Sequence, residues 1–300
     1  TPQEVIKQSG ADILRLWVVS SDYSEDLRLG KTILQTNVDA YRKLRNTIRW
    51  MLGTLAHDKG ETVPVADMPE LERLMLHRLS ELETLVLKSY DAFDFKRIAR
   101  ALLDFAVVEL SAFYFDIRKD ALYCDAPSSL RRKAALQVVR EIFDRLVTWL
   151  APLLPFTMEE AWLARHPQAK SVHLEQFRPA GADWRDEALA AKWARVRELR
   201  GVVTAELEKA RAAGTIGSSL QAAPVLALPG ADAGLLSPEL WAETCITSGF
   251  GLAPGAETPA AEFRPAEGAK CARCWRVLPE VGQPGRRHAD LCLRCEAAVA

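Results

Sequence analysis

No apolar stretch in the 300 residues reaches the roughly 18 uninterrupted positions that a membrane-spanning helix needs. The richest run, Leu150 to Phe156, is broken by Pro152 and Pro155, so no membrane partner is expected. The N-terminus, Thr1-Pro2-Gln3-Glu4, has no initiating Met, no basic flank and no apolar segment behind it. That excludes a signal peptide and leads to the expectation of a piece of a longer chain. The sequence also lacks an excess of either charge: 39 Lys and Arg stand against 40 Asp and Glu, for a net charge of −1. A uniformly basic nucleic-acid binder is thereby ruled out, and any contact with nucleic acid must use local patches. Isolated cysteines are few, because four of the six fall in two close pairs near the C-terminus while Cys124 and Cys245 stand alone. Such a distribution speaks against a disulfide framework and for metal in a reducing, cytoplasmic setting. With 49% hydrophobic and 26% charged residues the chain has the composition of a folded protein, long enough for two or three domains.

Residues 1–30 open with apolar positions at helical spacing, Val5, Ile6, Ile13, Leu14, Trp17 and Val18, and end in a polar turn from Ser20 to Arg28. They are too few to fold alone and read as a connector. Four amphipathic faces follow: Leu44, Ile48, Leu52, Leu55; Met75, Leu79, Leu82, Val86; Leu102, Ala106, Leu110, Phe113, Ile117; and Leu136, Val139, Phe143, Leu146, Leu150. Four such helices imply an antiparallel bundle over residues 31–182. Ser128 is the expected N-cap of the last one, and Thr157 with Glu160 reads as a capping box opening a further short helix. Beyond His166 the texture changes: Val172 to Leu174 and Pro224 to Leu228 are strand candidates and Asp186 to Ala213 a long helix, and a small α/β unit is expected after the bundle, over 183–260. Residues 252–269, rich in Ala, Pro, Gly and Glu, read as a linker from which a tail, residues 261–300, hangs. The predicted fold class is mainly α, a helix bundle followed by a small α/β unit and a zinc ribbon.

In the tail, Cys271-x2-Cys274 is followed after 17 residues by Cys292-x2-Cys295. Two residues between cysteines let one tight turn present both sulfurs to a single ion, and two such turns complete a tetrahedral thiolate site. One structural zinc is predicted, since four thiolates leave no open position for water or substrate. A module of this size has little apolar surface, so metal binding should supply its folding free energy. From Lys270 to Cys295 six basic residues, among them Arg276, oppose Glu280 and Asp290, and Trp275 adjoins a ligand. Arginines beside a placed aromatic suit single-stranded RNA. Equally, Trp275 can cap the knuckle's small core.

Several segments together resemble one family. Ser9-Gly10-Ala11-Asp12-Ile13-Leu14-Arg15-Leu16-Trp17, with Ser20-Ser21-Asp22-Tyr23-Ser24-Glu25-Asp26-Leu27-Arg28, is similar to the segment after the KMSKS loop of isoleucyl-tRNA synthetases. Tyr41 to Thr47, Leu110 to Asp120, Leu150-Ala151-Pro152-Leu153-Leu154-Pro155-Phe156-Thr157, Ser171 to Leu174, Ile216 to Leu220 and the paired cysteines resemble later parts of the bacterial enzymes of that class I family. The resemblance implies the portion that recognises the anticodon stem-loop of the tRNA specific for isoleucine, in a monomeric ligase. ATP and magnesium would be used only by the N-terminal catalytic part, which is absent here together with the editing domain, and this portion alone is expected to be inactive. Within it Arg42, Arg45 and Arg49 form a basic stripe with Asn46 beside it, suited to stem phosphates and a base edge. Expected tRNA contacts are therefore Arg42, Arg45, Asn46, Arg49, Trp275 and Arg276. Lys96, Arg97 and Arg100 form a second patch, and Arg131-Arg132-Lys133 a third. The alternative is a zinc ribbon that binds DNA or protein on a helical scaffold.

Overall fold

The structure, a computed structural model, describes residues 1–22, 26 and 30–299. Most of the Asp22 to Arg28 motif lies outside the described residues. The chain divides into two compact units, residues 1–116 with 133–186 and residues 117–132 with 187–300.

The first unit begins with α1 (Pro2–Ser9), set by a capping box in which the Thr1 hydroxyl accepts from Glu4, and α2 (Ala11–Ser20). Then come α3 (Lys31–Leu55), α4 (Glu70–Asp91) and α5 (Phe95–Asp104). A π-helical stretch, Phe105–Tyr114, continues α5 into α6 (Phe115–Cys124), of which residues 117–124 belong to the second unit. α7 (Leu130–Leu150) and α8 (Pro155–Arg165) complete the helices of this part. The apolar faces read from the sequence are the buried ones: Leu44, Ile48, Met75, Leu79, Val86, Leu102, Leu110, Val139, Phe143 and Leu146 are each at most 3% exposed. The π stretch replaces the expected α-helix, and its altered ladder has a partner on α3. There the Thr47 hydroxyl donates to the Ala106 carbonyl at 3.3 Å and lies 2.8 Å from the Ser111 hydroxyl.

Three expectations are corrected in this region. Helix α7 starts at Leu130, and the hydroxyl of Ser129, not Ser128, accepts from the Arg132 N–H at 3.4 Å. Helix α8 starts at Pro155, which fills N1 because proline has no N–H to leave unpaired there. Thr157 therefore sits inside the first turn, and its N–H and hydroxyl donate at 2.7 and 2.5 Å to Asp12 of α2. Asp12, 145 residues away, supplies the cap, and no Thr157/Glu160 box forms. The third correction concerns Val172–Leu174, which forms a 3-10 turn rather than a strand. Glu159 accepts from the Val172 N–H at 2.8 Å, and Ser171 accepts from the His173 N–H at 3.1 Å, so donors that a sheet would need are already used.

The second unit is built on α9 (Glu187–Ala212), which buries Leu189, Trp193, Val196, Leu199, Val203 and Leu207. Strand β1 (Val225–Leu228) pairs in parallel with β2 (Gly251–Pro254) and antiparallel with β3 (Ala260–Glu262), in the order β2-β1-β3. Helix α10 (Pro238–Cys245) forms the crossover between the parallel strands, its Trp241 stacked on Phe250 at 5.6 Å. Strands β4 (Ala269–Lys270) and β5 (Val277–Leu278) form a small ladder, and α11 (Leu293–Val299) closes the chain. The stretch expected to be a linker thus carries β2 and β3. Its short side chains hid this, because backbone pairing rather than an apolar core holds it: the Ala223 N–H donates to the Arg264 carbonyl and the Ala266 N–H to the Gln221 carbonyl, both at 2.8 Å. Among the described residues no helix is long and apolar enough to cross a membrane.

Candidate metal centre and nucleic-acid interface

The β4–β5 ladder brackets the first cysteine turn. Within it the Cys271 N–H donates to the Arg276 carbonyl at 2.9 Å and the Trp275 N–H to the Cys271 carbonyl at 3.0 Å. Entry into that ladder needs glycine at 268, where φ is 111° and a Cβ would lie 2.3 Å from the Leu278 carbonyl. The second turn leads into α11, where the Glu296 N–H donates to the Cys292 carbonyl at 2.9 Å. The turns are joined by the Cys292 N–H, which donates to the Cys271 sulfur at 3.3 Å.

All four cysteines are buried and unbridged, with their sulfurs within 4.8 Å of one another. The Cys274 and Cys292 sulfurs are 3.7 Å apart. A tetrahedron with metal–sulfur distances near 2.3 Å has edges of about 3.8 Å, so the donor set fits zinc and its spacing is far from a disulfide's. Burial raises the Cys295 thiol to about 11, whereas at Cys271 it is outweighed by N–H groups of Cys274, Cys292 and Arg273, which bring that thiol down to about 6. Around the sulfurs the core is small: Val281, Leu291, half-buried Leu278 and the solitary Cys124. Burial lifts the Cys124 thiol to about 11 and the Cys245 thiol to about 12, in keeping with packing residues.

The tail does not hang free of its unit. Arg273 donates to the carbonyls of Cys124 and, at 3.1 Å, Tyr123. Arg294 forks onto Asp120 and reaches Asp125 at 3.2 Å. From the sheet side, the Ser248 carbonyl accepts from Arg276 at 2.9 Å and the Ser248 hydroxyl accepts from the Val277 N–H at 2.7 Å. Arg286 pairs with Glu296. Much of the tail's basic charge is thus spent on its own architecture, while Lys270 and Arg287 remain exposed. Trp275 is 60% exposed in the left-handed conformation, φ 66°, with the Lys270 ammonium 5.1 Å from its ring centre. It does not cap the knuckle's core. An exposed ring held at a backbone conformation costing about 1–2 kcal/mol is a candidate contact surface.

On α3 the stripe is partly committed. Arg45 pairs bidentately with Glu160 of α8 at 2.8 and 2.9 Å, and Arg42 is 2.6 Å from Asp39. Asn46 and Arg49 are exposed. Arg45, Ile48, Arg49 and Leu52 line an open pocket of about 320 Å³ with Thr157 and Glu160. The third basic patch is structural: Arg131 pairs with Asp125 and Glu243, Arg132 donates to the Leu122 carbonyl, and Lys133 lies 3.5 Å from Glu61.

Residues 72–226 match the family described as the anticodon-binding domain of tRNA ligase, and residues 268–298 match the zinc finger found in FPG and IleRS. The sequence is 65% identical, over 297 residues and 94% of this chain, to isoleucine–tRNA ligase of Brucella abortus biovar 1. It is 64% identical over 299 residues to that of Mesorhizobium japonicum, and 59% identical over 311 residues, 99% of this chain, to that of Agrobacterium fabrum. The chain spans 30 to 32% of the length of these curated relatives. A crystal structure of a ternary LeuRS-tRNA-LeuAMS complex from Agrobacterium radiobacter K84 aligns with 77% of this chain and 23% of that chain at a TM-score of 0.48 and 15% identity.

Proposed function

This chain belongs to the family of tRNA-ligase anticodon-binding domains, and from that premise we propose that it is the part of an isoleucine–tRNA ligase that grips the anticodon stem-loop of the tRNA specific for isoleucine. The observation that carries the assignment to isoleucine is the 65% identity extending over 94% of the chain. In this reading, activation of the amino acid, with its ATP and magnesium, and editing are tasks of other domains of the parent protein, so this chain alone should catalyse no ATP–pyrophosphate exchange. It works as a monomer in the cytoplasm. The domain limits we assign are 31–182 for the bundle, 183–260 for the α/β junction and 261–300 for the tail.

Arg42, Asn46 and Arg49 present the exposed face of α3 to stem phosphates and a base edge, and Trp275 offers a stacking face, where stacking is worth about 1–3 kcal/mol per base. Arg45, tied to Glu160, holds the α3 face in shape, and Arg276, tied to Ser248, holds the Trp275 turn, each also adding charge. In the zinc-bound tail the four thiolates are held by one ion, which fixes the Trp275 turn. The test is an anisotropy titration with the isoleucine tRNA at several salt concentrations. Binding should weaken steeply with salt and weaken again when the anticodon is changed. Equal affinity for every tRNA rejects anticodon reading, and preference for duplex DNA in competition favours the zinc-ribbon alternative.

A further inference from the structure

Phe93, which belongs to none of the motifs read from the sequence, occupies the turn between α4 and α5 in the left-handed conformation, φ 56°, and is 70% exposed. The turn is a helix C-cap: the Phe93 N–H donates to the Tyr90 carbonyl at 3.1 Å and the Asp94 N–H to the Ser89 carbonyl at 2.8 Å. Glycine is the residue that makes this cap without steric strain and without showing a ring to water. The Phe93 ring meets Phe95 edge-on, centroids 6.1 Å apart, yet most of it faces solvent. Its neighbours along the chain include the exposed charged residues Lys88, Asp91, Asp94, Lys96 and Arg97. The Asp94 carboxylate is engaged as the cap of α5, accepting from the Arg97 N–H at 3.1 Å.

From this turn α5 runs along an open groove of about 620 Å³, into which Lys96 and Arg100 project with Lys43 of α3. Two carboxylates share the groove: Asp39, 2.6 Å from Arg42, and Asp104, 3.8 Å from Arg100. Lys43 and Lys96 form no ion pair among the described residues. We infer that this end of α5 is a second RNA contact, in which Phe93 stacks on an unpaired base while Lys43, Lys96 and Arg100 take neighbouring phosphates. An aromatic face followed by a cationic groove suits a flexible strand of nucleic acid. The inference rests on the tRNA-binding reading above and adds a site to it.

Phe93→Gly is the informative variant, because it relieves the backbone and so separates folding from binding. In the zinc-loaded protein its melting temperature should equal or exceed that of the parent. Its affinity for a transcript of the isoleucine tRNA should be about tenfold weaker with an unchanged salt slope, the signature of one lost stack. Phe93→Trp should restore tight binding. Lys43→Ala combined with Lys96→Ala should weaken binding and flatten the slope of log affinity against log salt by about 1 to 2. If Phe93→Gly binds as tightly as the parent, the inference is overturned while the tRNA-binding reading stands. Should the parent itself show no salt-sensitive binding, both are overturned.

Discussion

The helical bundle and the cysteine tail are held together by different physics. Around α4 and α7 the bundle buries Met75, Leu79, Val86, Phe143, Leu146 and Trp149, all fully covered side chains. Each contributes about 1.5–3 kcal/mol of transfer free energy, spread over many contacts. In the tail, the buried aliphatic side chains are Val281 and Leu291, beside four thiols that repel one another once ionised. The first kind of core tolerates loss of one contributor and is indifferent to chelators. The second concentrates its stability in one ion, so its order, and the left-handed turn that displays Trp275, stand or fall together.

Removing the metal should therefore have the largest effect and the most local one. Apparent binding free energies of structural zinc are on the order of 10–16 kcal/mol, well beyond what Val281, Leu291 and Leu278 supply. We expect about one zinc per chain by elemental analysis. After chelation or Cys292→Ser, amide protection should be lost across 271–299 while far-UV helicity of the bundle persists. Collapse of the helical signal on chelation would erase the distinction between the two cores.

A smaller effect should come from the ties that anchor the tail. Arg294→Ala leaves Asp120 without its paired guanidinium and the nearly buried Asp125 with Arg131 alone, and should cost about 1–3 kcal/mol, the partial exposure of the Arg294–Asp120 pair reducing the full buried-pair penalty. Burial would raise the Asp120 carboxyl, but Arg294 outweighs it and holds that group below its ordinary 3.8. A depressed carboxyl contributes stability above its unfolded value and loses it as pH falls through the folded one. The stability difference between parent and Arg294→Ala, read from denaturant midpoints, should be full at pH 5 to 7 and shrink below about pH 3.8. A difference that stays constant into acid would mean that charge does not carry the tie.

Local periodicity and local spacing were readable in the sequence, and long-range partnership was not. The apolar faces of α3, α4 and α7 and the four-cysteine site follow from 3.6-residue spacing and the paired-turn geometry, which depend only on near neighbours. Glu160 looked like half of a capping box, yet Arg45 takes it, 115 residues away, and holds its carboxyl below the usual range. The Ala-Pro-Leu-Leu-Pro turn is visible as punctuation, but nothing in it announces that Arg15 of α2 donates to the carbonyls of Leu153 and Pro152 at 3.0 and 2.9 Å. Strands β2 and β3 escaped notice because small residues give no alternation to read. Phe93 carried one signal, a bulky aromatic where a helix C-cap favours glycine, whose meaning emerges only once its φ and exposure are known.

Asp12 offers the mildest test, and it probes the bundle rather than the tail. Its carboxylate is 5% exposed, and one oxygen accepts both the Thr157 N–H and the Thr157 hydroxyl, which in turn lies 2.8 Å from the Tyr41 hydroxyl. The other carboxylate oxygen, Oδ1, is buried with no hydrogen bond among the described residues, so the side chain's desolvation offsets part of what its cap contributes. Asp12→Ala should therefore lower the unfolding free energy, read from the denaturant midpoint, by about 1 kcal/mol, near the ordinary value of a helix cap and below that of a buried ion pair. Because this cap belongs to a core built by apolar packing, the loss should be the same with and without chelator. A chelator-dependent loss would show that the metal's influence reaches α2 and α8, and that the two cores are not independent.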